Sequence, residues 1–294
     1  MTWVLIKLHL SVLLAGTTGL FGKWLALDTT LLVWYRLALV SLMCAGLLAF
    51  WHKLRRVSPV DFLKIGGVGA ILCIHWLFFY GSIRASNVSI GVVSFSTTGF
   101  FTAVLEPLIN KHRASFKEIA LSLMTVAGVA LIFSFDVRYR LGIALGLGAA
   151  ALASLFSITN KLVGKNRPLS TMLFYELTGG ALCASVVLPF YFGMNSGAAF
   201  IPSLSDFLKL LLFAFACTVV LQIMQIQALK ALSAFTVSLT YNLEPIYSIL
   251  FAMLFFGEAR ELNWSFYAGL SLIIVSVLLQ TLRVLRERRR NAAK

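Results

Sequence analysis

The sequence has 294 residues, of which 60% are hydrophobic and only 12% are charged, and its formal net charge is +14. Its mean hydropathy of +0.90 is far above what a soluble domain of this length needs to build one core. The composition therefore excludes an ordinary soluble domain and predicts an all-α integral membrane protein that crosses the bilayer several times.

Ten apolar segments of 19 to 24 residues follow one another along the chain. A helix of about 20 residues rises about 30 Å, which is the thickness of the hydrocarbon layer, so each segment is long enough to cross it. The predicted spans are 8–27, 31–51, 65–83, 88–109, 116–135, 141–160, 170–192, 207–229, 233–256 and 264–282.

The connections between these spans are too short to hold a soluble domain. The longest have only about a dozen residues, and no Walker or Rossmann glycine pattern occurs in the chain. The four cysteines all fall inside predicted spans without a metal-binding spacing. We therefore expect no cofactor, no bound metal and no ATP hydrolysis by this chain.

The basic residues are distributed by membrane side rather than gathered in one groove, which argues against nucleic acid as a partner. With the N-terminus inside, eighteen lysines and arginines lie on the cytoplasmic side and six lie outside. The positive-inside rule then predicts that both termini are cytoplasmic, in an inner-membrane protein. The basic residues near the C-terminus are expected to bind anionic headgroups of the bilayer.

The two halves of the sequence resemble each other. At an offset of 146 residues, SIRASNVSIGVV lies over ALKALSAFTVSL and Thr98 lies over Glu244. This predicts one five-helix repeat in 1–136, a second in 137–283 and a basic cytoplasmic tail in 284–294. Because five spans are an odd number, the two repeats must have inverted topology, and in such folds the substrate site lies between them near the midplane.

Several motifs together resemble one transporter family. They are GLFGKW in span 1, WYRLAL in span 2, the run ALKALSAFTVSLTYNLEPIYSILFAMLFFGE and the ending YAGLSLIIVSVLL. Over essentially the whole chain they resemble the EamA branch of the drug/metabolite transporter superfamily. The resemblance implies a secondary exporter or permease in which helices 1, 3, 4, 6, 8 and 9 surround a central cavity and helices 2, 5, 7 and 10 are more peripheral. The first half departs from the pattern, with Thr98 and Gly99 where the second has Glu244 and Pro245.

Glu244 is the main candidate for a functional residue. It lies at the middle of the span 233–256, where a carboxylate costs about 3 kcal/mol or more unless it has a partner, a proton or a water-filled cavity. It could bind a cationic group of a substrate or take up the proton that couples transport. The alternative is a neutral acid that bonds a neighbouring helix. Tyr241 and Asn242 flank it and are candidates for the same site.

The other candidates for substrate binding are polar and aromatic side chains near the middle of spans 3, 4 and 8: His75, Trp76, Tyr80, Thr98, Gln222 and Gln225. Aromatic rings beside an imidazole can stack on a planar or cationic substrate, and simple packing is the alternative. Two amides one turn apart are expensive against lipid, so they are expected to face protein or water. Thr98 is included because the repeat places it opposite Glu244.

Arg36 and Glu176 occupy matching places in the two repeats and carry opposite charges. They could pair across the two repeats, or each could bond locally near a membrane surface. Because the family resemblance makes helices 2 and 7 peripheral, a structural role is predicted for both.

The sequence as a whole predicts a ten-span carrier that works by alternating access on a small organic solute, such as an amino acid or a cationic drug-like molecule. Two other classes stay open: an integral-membrane enzyme acting on a lipid, and a passive channel. The enzyme would need clustered acids or histidines. The four histidines of this chain are scattered, at His9, His52, His75 and His112, and its acidic residues form no paired motif. The coupling ion and the choice between monomer and homodimer are also open.

Overall fold

The structure is a computed structural model, and every regular element in its described residues is helical. It describes residues 2–50, 56–111, 113–133, 139–195, 199–241, 243–257 and 264–292. The helices are α1 Thr2–Trp24, α2 Thr29–Phe50, α3 Pro59–Ala85, α4 Val88–Phe95, α5 Thr98–Asn110, α6 Phe116–Phe133, α7 Arg140–Gly164, α8 Leu169–Met194, α9 Leu204–Ala214, α10 Leu221–Ala231, α11 Ala234–Tyr241, α12 Glu244–Phe256 and α13 Trp264–Ala292, with a π-helical turn, Phe215–Val220, between α9 and α10.

Seven helical stretches in the described residues are long and apolar enough to cross a membrane. Two of them are composite, since Val88–Asn110 combines α4 with α5 and Leu204–Ala231 runs from α9 through the π-helical turn to α10. Three further apolar helices are shorter: Ile119–Leu131, Glu244–Phe256 and Trp264–Ser276. A multi-pass membrane protein is therefore supported, while the count of ten spans stays a prediction.

Two helices at matching places of the two halves begin with the same capping motif. At the start of α3, Ser58 Oγ accepts the backbone N–H of Asp61 at 3.1 Å. At the start of α9, Ser203 Oγ accepts the N–H of Asp206, also at 3.1 Å. Each bond satisfies one of the free N–H groups of a first helical turn and fixes where the helix begins.

Each half also contains one helix that is broken in its middle. The pair α4 and α5 and the pair α11 and α12 have the same lengths and lie 146 residues apart at all four ends. The predicted span 88–109 therefore agrees with the membrane-length stretch Val88–Asn110, but the structure divides this stretch into two helices. Ser96, Thr97 and Thr98 each donate their hydroxyl to the carbonyl three residues earlier, at 2.6 to 2.8 Å. These bonds compete with regular helical bonds, so three consecutive hydroxyls interrupt this helix without a proline.

The second half-helix of each pair ends in the left-handed conformation. Lys111 follows α5 with φ of 54°, and Gly257 follows α12 with φ of 66°. Glycine adopts this conformation freely, whereas a residue with a Cβ pays about 1 kcal/mol. The turn is thus kept in both halves, although the first half lacks the glycine that favours it.

In each half, a basic side chain near the end of one helix donates a hydrogen bond to the backbone just before another helix. Arg84 Nη2, near the end of α3, donates to the Leu27 carbonyl just before α2. Lys230 Nζ, near the end of α10, donates at 2.6 Å to the Arg167 carbonyl just before α8. Arg84 and Lys230 are aligned by the sequence repeat. In the structure, each donates to a backbone carbonyl just before the second helix of its half.

Helices α3 and α8 pack backbone against backbone at small residues. A Cβ added to Gly69 would lie 1.7 Å from the Glu176 carbonyl oxygen, and one added to Gly179 would lie 2.2 Å from Gly66 Cα. No larger side chain fits at either contact unless the helices separate. Small residues commonly allow such close approach between membrane helices.

Candidate functional site

Side chains from both halves line a cavity of about 80 Å³. Its wall is formed by α1 to α5, α7, the π-helical turn, α10, α11 and α12. A water needs about 10 to 15 Å³ of such space, so the cavity has room for about half a dozen waters or a small organic group. It brings together Glu244, Tyr241, Thr98, His75, Trp76, Tyr80, Gln222 and Gln225, which are the predicted site residues, while Asn242 lies outside the described residues.

The cavity wall is built largely from matching positions of the two halves. Five pairs of lining residues are related by the offset of 146: His75 and Leu221, Trp76 and Gln222, Phe79 and Gln225, Phe95 and Tyr241, Thr98 and Glu244. In the first half these positions supply mainly aromatic rings, and in the second half they supply two amides, a phenol and a carboxylate. The cavity therefore has one aromatic wall and one polar wall.

Glu244 is the first residue of α12, and Thr98 is the first residue of α5. The N-termini of both half-helices therefore meet the cavity, where the positive end of α12 favours a negative charge on Glu244. The Glu244 side chain is only 4% exposed and has no hydrogen-bond partner among the described residues. A buried acceptor without a donor at a cavity wall is suited to receive a proton or a hydrogen-bond donor of a ligand.

His75 and Phe95 form part of the aromatic wall. The two rings stack with centroids 5.2 Å apart, and His75 Nδ1 lies 2.9 Å from the Ala149 carbonyl. Because a carbonyl can only accept, the hydrogen of the neutral imidazole belongs on Nδ1, which leaves Nε2 as an acceptor. His75 therefore makes a hydrogen bond within the helix packing, as the structural alternative predicted, and it also lines the cavity, as the binding hypothesis predicted.

Arg36 also lines the cavity, so the prediction that helix 2 is peripheral is wrong at this residue. Its Nε donates to Thr218 Oγ1 at 2.6 Å, Nη1 to the Tyr80 hydroxyl at 2.7 Å and Nη2 to the Cys217 carbonyl at 2.8 Å. Cys217 and Thr218 belong to the π-helical turn. Such turns disturb the regular bonding of a helix and often occur at functional sites, and here the guanidinium bonds this one to α2 and α3.

The guanidinium of Arg36 also lies between two aromatic rings. Its Cζ is 3.7 Å from the Trp76 centroid and 4.1 Å from the Phe213 centroid. Both distances are well within the range of cation–π attraction, which strengthens where water is excluded. Arg36 is 2% exposed and interacts electrostatically with Glu244. The Trp76 face predicted for a substrate is thus occupied by a cation of the protein itself.

Glu176, the residue that matches Arg36, lies outside the cavity wall. It is fully buried in α8, and its Oε2 accepts a hydrogen bond from Asn160 Nδ2. Its Oε1 has no partner among the described residues. Arg36 and Glu176 therefore do not pair with each other, and of the two alternatives the structure supports separate local bonding.

Two further predicted residues hydrogen-bond to other helices, whereas a third has an acceptor without a donor among the described residues. The Tyr241 hydroxyl donates to Ser11 Oγ at 3.1 Å, and the Tyr80 hydroxyl accepts from Arg36. Gln222 is 2% exposed, and its Oε1 has no partner among the described residues. Among the described residues, the polar wall therefore contains a buried acceptor without a hydrogen-bond donor at Gln222.

Several lining residues were not among the predicted ones. Phe79 and Phe95 could have been found by applying the offset of 146 to Gln225 and Tyr241. Arg36 carried a signal as well, since a charge inside a span is by default functional. Ala153 and Ser157 of α7 have no such signal, because small residues on a membrane helix are typical of packing.

A sequence model described as the EamA-like transporter family matches the chain twice, at residues 2–134 and 140–282. The uncharacterized transporter YxxF of Bacillus subtilis (strain 168) is 23% identical over 287 residues, which cover 92% of this chain and 89% of that protein. The uncharacterized transporter C405.03c of Schizosaccharomyces pombe (strain 972 / ATCC 24843) is 28% identical over 138 residues, or 42% of this chain and 40% of that one.

A solved crystal structure of another protein has a similar fold. It superposes with a TM-score of 0.70 over 97% of this chain and 99% of the other, at 17% identity. At this identity the likeness concerns the arrangement of helices and carries no statement about a ligand.

Proposed function

The chain belongs to the EamA-like transporter family, and from this premise we propose that it is a secondary carrier that moves a small organic solute by alternating access. The observation that supports this most directly is the cavity between the halves. It is lined by repeat-related pairs of residues and contains a buried carboxylate with no hydrogen-bond partner among the described residues. Repeat-built transporters bind their substrates at this place, near broken helices whose N-termini meet the site.

The proposal includes ten spans in two five-helix repeats of opposite orientation. It places the protein in the inner membrane with both termini on the cytoplasmic side. The excess of basic residues on one side supports this orientation. The duplication itself is supported by the two family matches and by the identical breaks in α4–α5 and α11–α12.

A labelling experiment tests the orientation. In a protein whose native cysteines are replaced, one cysteine is placed within 199–203 and another within 286–292. An impermeant maleimide added to intact cells should label the first site and leave the second unlabelled. The reverse pattern would overturn the proposed orientation while leaving the carrier function standing.

Glu244 is proposed as the charge or proton site of this carrier. Around it the cavity wall contains Arg36 from α2, His75 and Tyr80 from α3 and Tyr241 from α11. Arg36 interacts electrostatically with Glu244, so it is the cation that balances the charge of Glu244 whenever that carboxyl group is ionised. A proton or a substrate cation can take over that balance, and this competition is what couples two fluxes in one cavity.

Ligand binding followed by flux measurement tests the proposed function. Purified protein is screened by thermal shift against amino acids, nucleosides, sugars and quaternary cations, because a ligand of the folded state raises the melting temperature. We expect one class to stabilise the protein and to show saturable uptake into proteoliposomes. Trp76→Leu should remove the shift, whereas Trp264→Leu, at a side chain that is 88% exposed, should keep it. Non-saturable flux would favour a channel instead.

A further inference from the structure

Arg36 and Glu176 occupy equivalent places in the two halves, at an offset of 140 residues. Each is seven residues beyond the start of its helix, since α2 begins at Thr29 and α8 at Leu169. The surroundings of the two residues nevertheless differ. Arg36 lines the cavity, whereas Glu176 is buried outside it. The two halves therefore share a fold but hold this position in two different conformations.

The packing around the two positions differs in the same way. Beside Glu176, α8 is in backbone contact with α3, because the Glu176 carbonyl lies where a Cβ of Gly69 would be. Beside Arg36, the guanidinium fills the space between α2 and the π-helical turn that follows α9. At Glu176 the helices are thus in direct backbone contact, whereas at Arg36 a side chain fills the space between them.

If the two halves are inverted repeats, their conformations can be exchanged. The conformation that one half adopts in this state is adopted by the other half when the carrier faces the opposite side, because the two arrangements are related by the repeat itself. Applied to these positions, the exchange moves Arg36 away from the cavity and brings Glu176 to it.

We propose that Arg36 and Glu176 exchange places at the cavity during the transport cycle, so that the site becomes a binding site for planar organic cations when Arg36 has left. This inference rests on the proposed function. Among the residues that the structure describes, the cavity wall in this state holds one carboxylate, Glu244, and one cation, Arg36. In the opposite state it holds two carboxylates, Glu176 and Glu244, and no cation of the protein.

The place that Arg36 vacates fixes the chemistry of the ligand. Its guanidinium lies between Trp76 and Phe213 and interacts electrostatically with Glu244, so a planar cation of similar size can use the Trp76 face and the same carboxylate. The Gln222 Oε1, which has no partner among the described residues, adds an acceptor. Arg36 is then a tethered competitor whose return expels the cation from the site.

The test compares three planar aromatic probes of different charge: phenylguanidine, which is cationic, phenylurea, its neutral analogue of the same shape, and the smaller benzoate, which is anionic. Their binding to the purified full-length protein is measured by calorimetry. Glu176→Gln should weaken phenylguanidine binding about thirtyfold or more, as loss of a buried charge partner does. Arg36→Gln should strengthen it by a similar factor. Asp61→Asn, which removes a surface carboxylate paired with Arg167, should change nothing.

Three outcomes would overturn the inference. One is unchanged phenylguanidine affinity in Glu176→Gln, because a static cavity of the kind described here does not contact Glu176. Another is a failure of the Arg36→Gln protein to bind phenylguanidine more tightly than the wild type. The third is benzoate binding that Arg36→Gln abolishes, because Arg36 would then bind an anionic substrate. Saturable transport of some other solute would leave the proposed function standing in each case.

A measurement on the unmodified protein avoids any folding defect of these variants. Dicyclohexylcarbodiimide adds to protonated carboxyl groups in apolar surroundings, and mass spectrometry locates the adduct. We expect adducts at Glu244 and at Glu176, both reduced by phenylguanidine and neither by phenylurea. An adduct at Glu244 alone, or labelling of Glu176 that phenylguanidine does not reduce, would contradict the exchange.

Discussion

Glu244→Gln should reduce gradient-driven uptake into proteoliposomes to background, while exchange at saturating substrate concentration continues. The change keeps the size of the side chain and removes its ability to carry a charge or release a proton. Coupling requires one group to be occupied alternately by the proton and by the substrate, and Glu244 is the cavity carboxylate with no hydrogen-bond partner among the described residues. Exchange needs no net proton movement and therefore tolerates the amide.

The chain offers a closely matched control for this variant. Glu106 belongs to a second Leu-Glu-Pro triplet, is also buried and lies in α5, but it does not line the cavity. Glu106→Gln should therefore keep gradient-driven uptake, when both variants are compared at equal amounts of folded protein. Uptake by Glu244→Gln at the wild-type rate would remove Glu244 from the coupling mechanism.

The residues around the cavity could be predicted to a large extent because membrane spans make polar side chains conspicuous. In an apolar segment a glutamate or a pair of glutamines has few reasons to occur other than a partner or a cavity. The offset of 146 then joins Thr98 to Glu244 without any knowledge of tertiary structure. The aromatic residues of α3 followed from the same reasoning, since they surround His75.

The prediction failed where a residue's role depends on partners far away in sequence. Arg36 was assigned a structural role on a peripheral helix, but the acceptors that hold it at the cavity are Tyr80 on α3 and the π-helical turn near Cys217. Nothing in the local sequence around Arg36 indicates either of them. The break between α4 and α5 was missed for a different reason. Helix breaks are usually sought at prolines, and here hydroxyl side chains produce one.

Gly69→Ala should destabilise the protein strongly, by about 3 kcal/mol or more, because the added methyl would occupy the place of the Glu176 carbonyl. In a chain of this size that corresponds to a melting temperature lower by about 5 to 10 °C. The measurement is the temperature at which the detergent-solubilised protein loses its monodisperse peak in size-exclusion chromatography.

Gly67→Ala is the matched control for this prediction, since it makes the same change two residues away in the same helix. A Cβ at Gly67 meets nothing within 4 Å, so its melting temperature should equal or slightly exceed that of the wild type. Equal melting temperatures for the two variants would contradict the backbone contact between α3 and α8.

The contact between α3 and α8 also bears on the proposed exchange of Arg36 and Glu176, because that exchange requires α8 to separate from α3 once in every transport cycle. Such an opening separates the glycine backbone contacts together with the side chains packed beside them, such as Phe62 against Tyr175, by a rigid-body movement of whole helices.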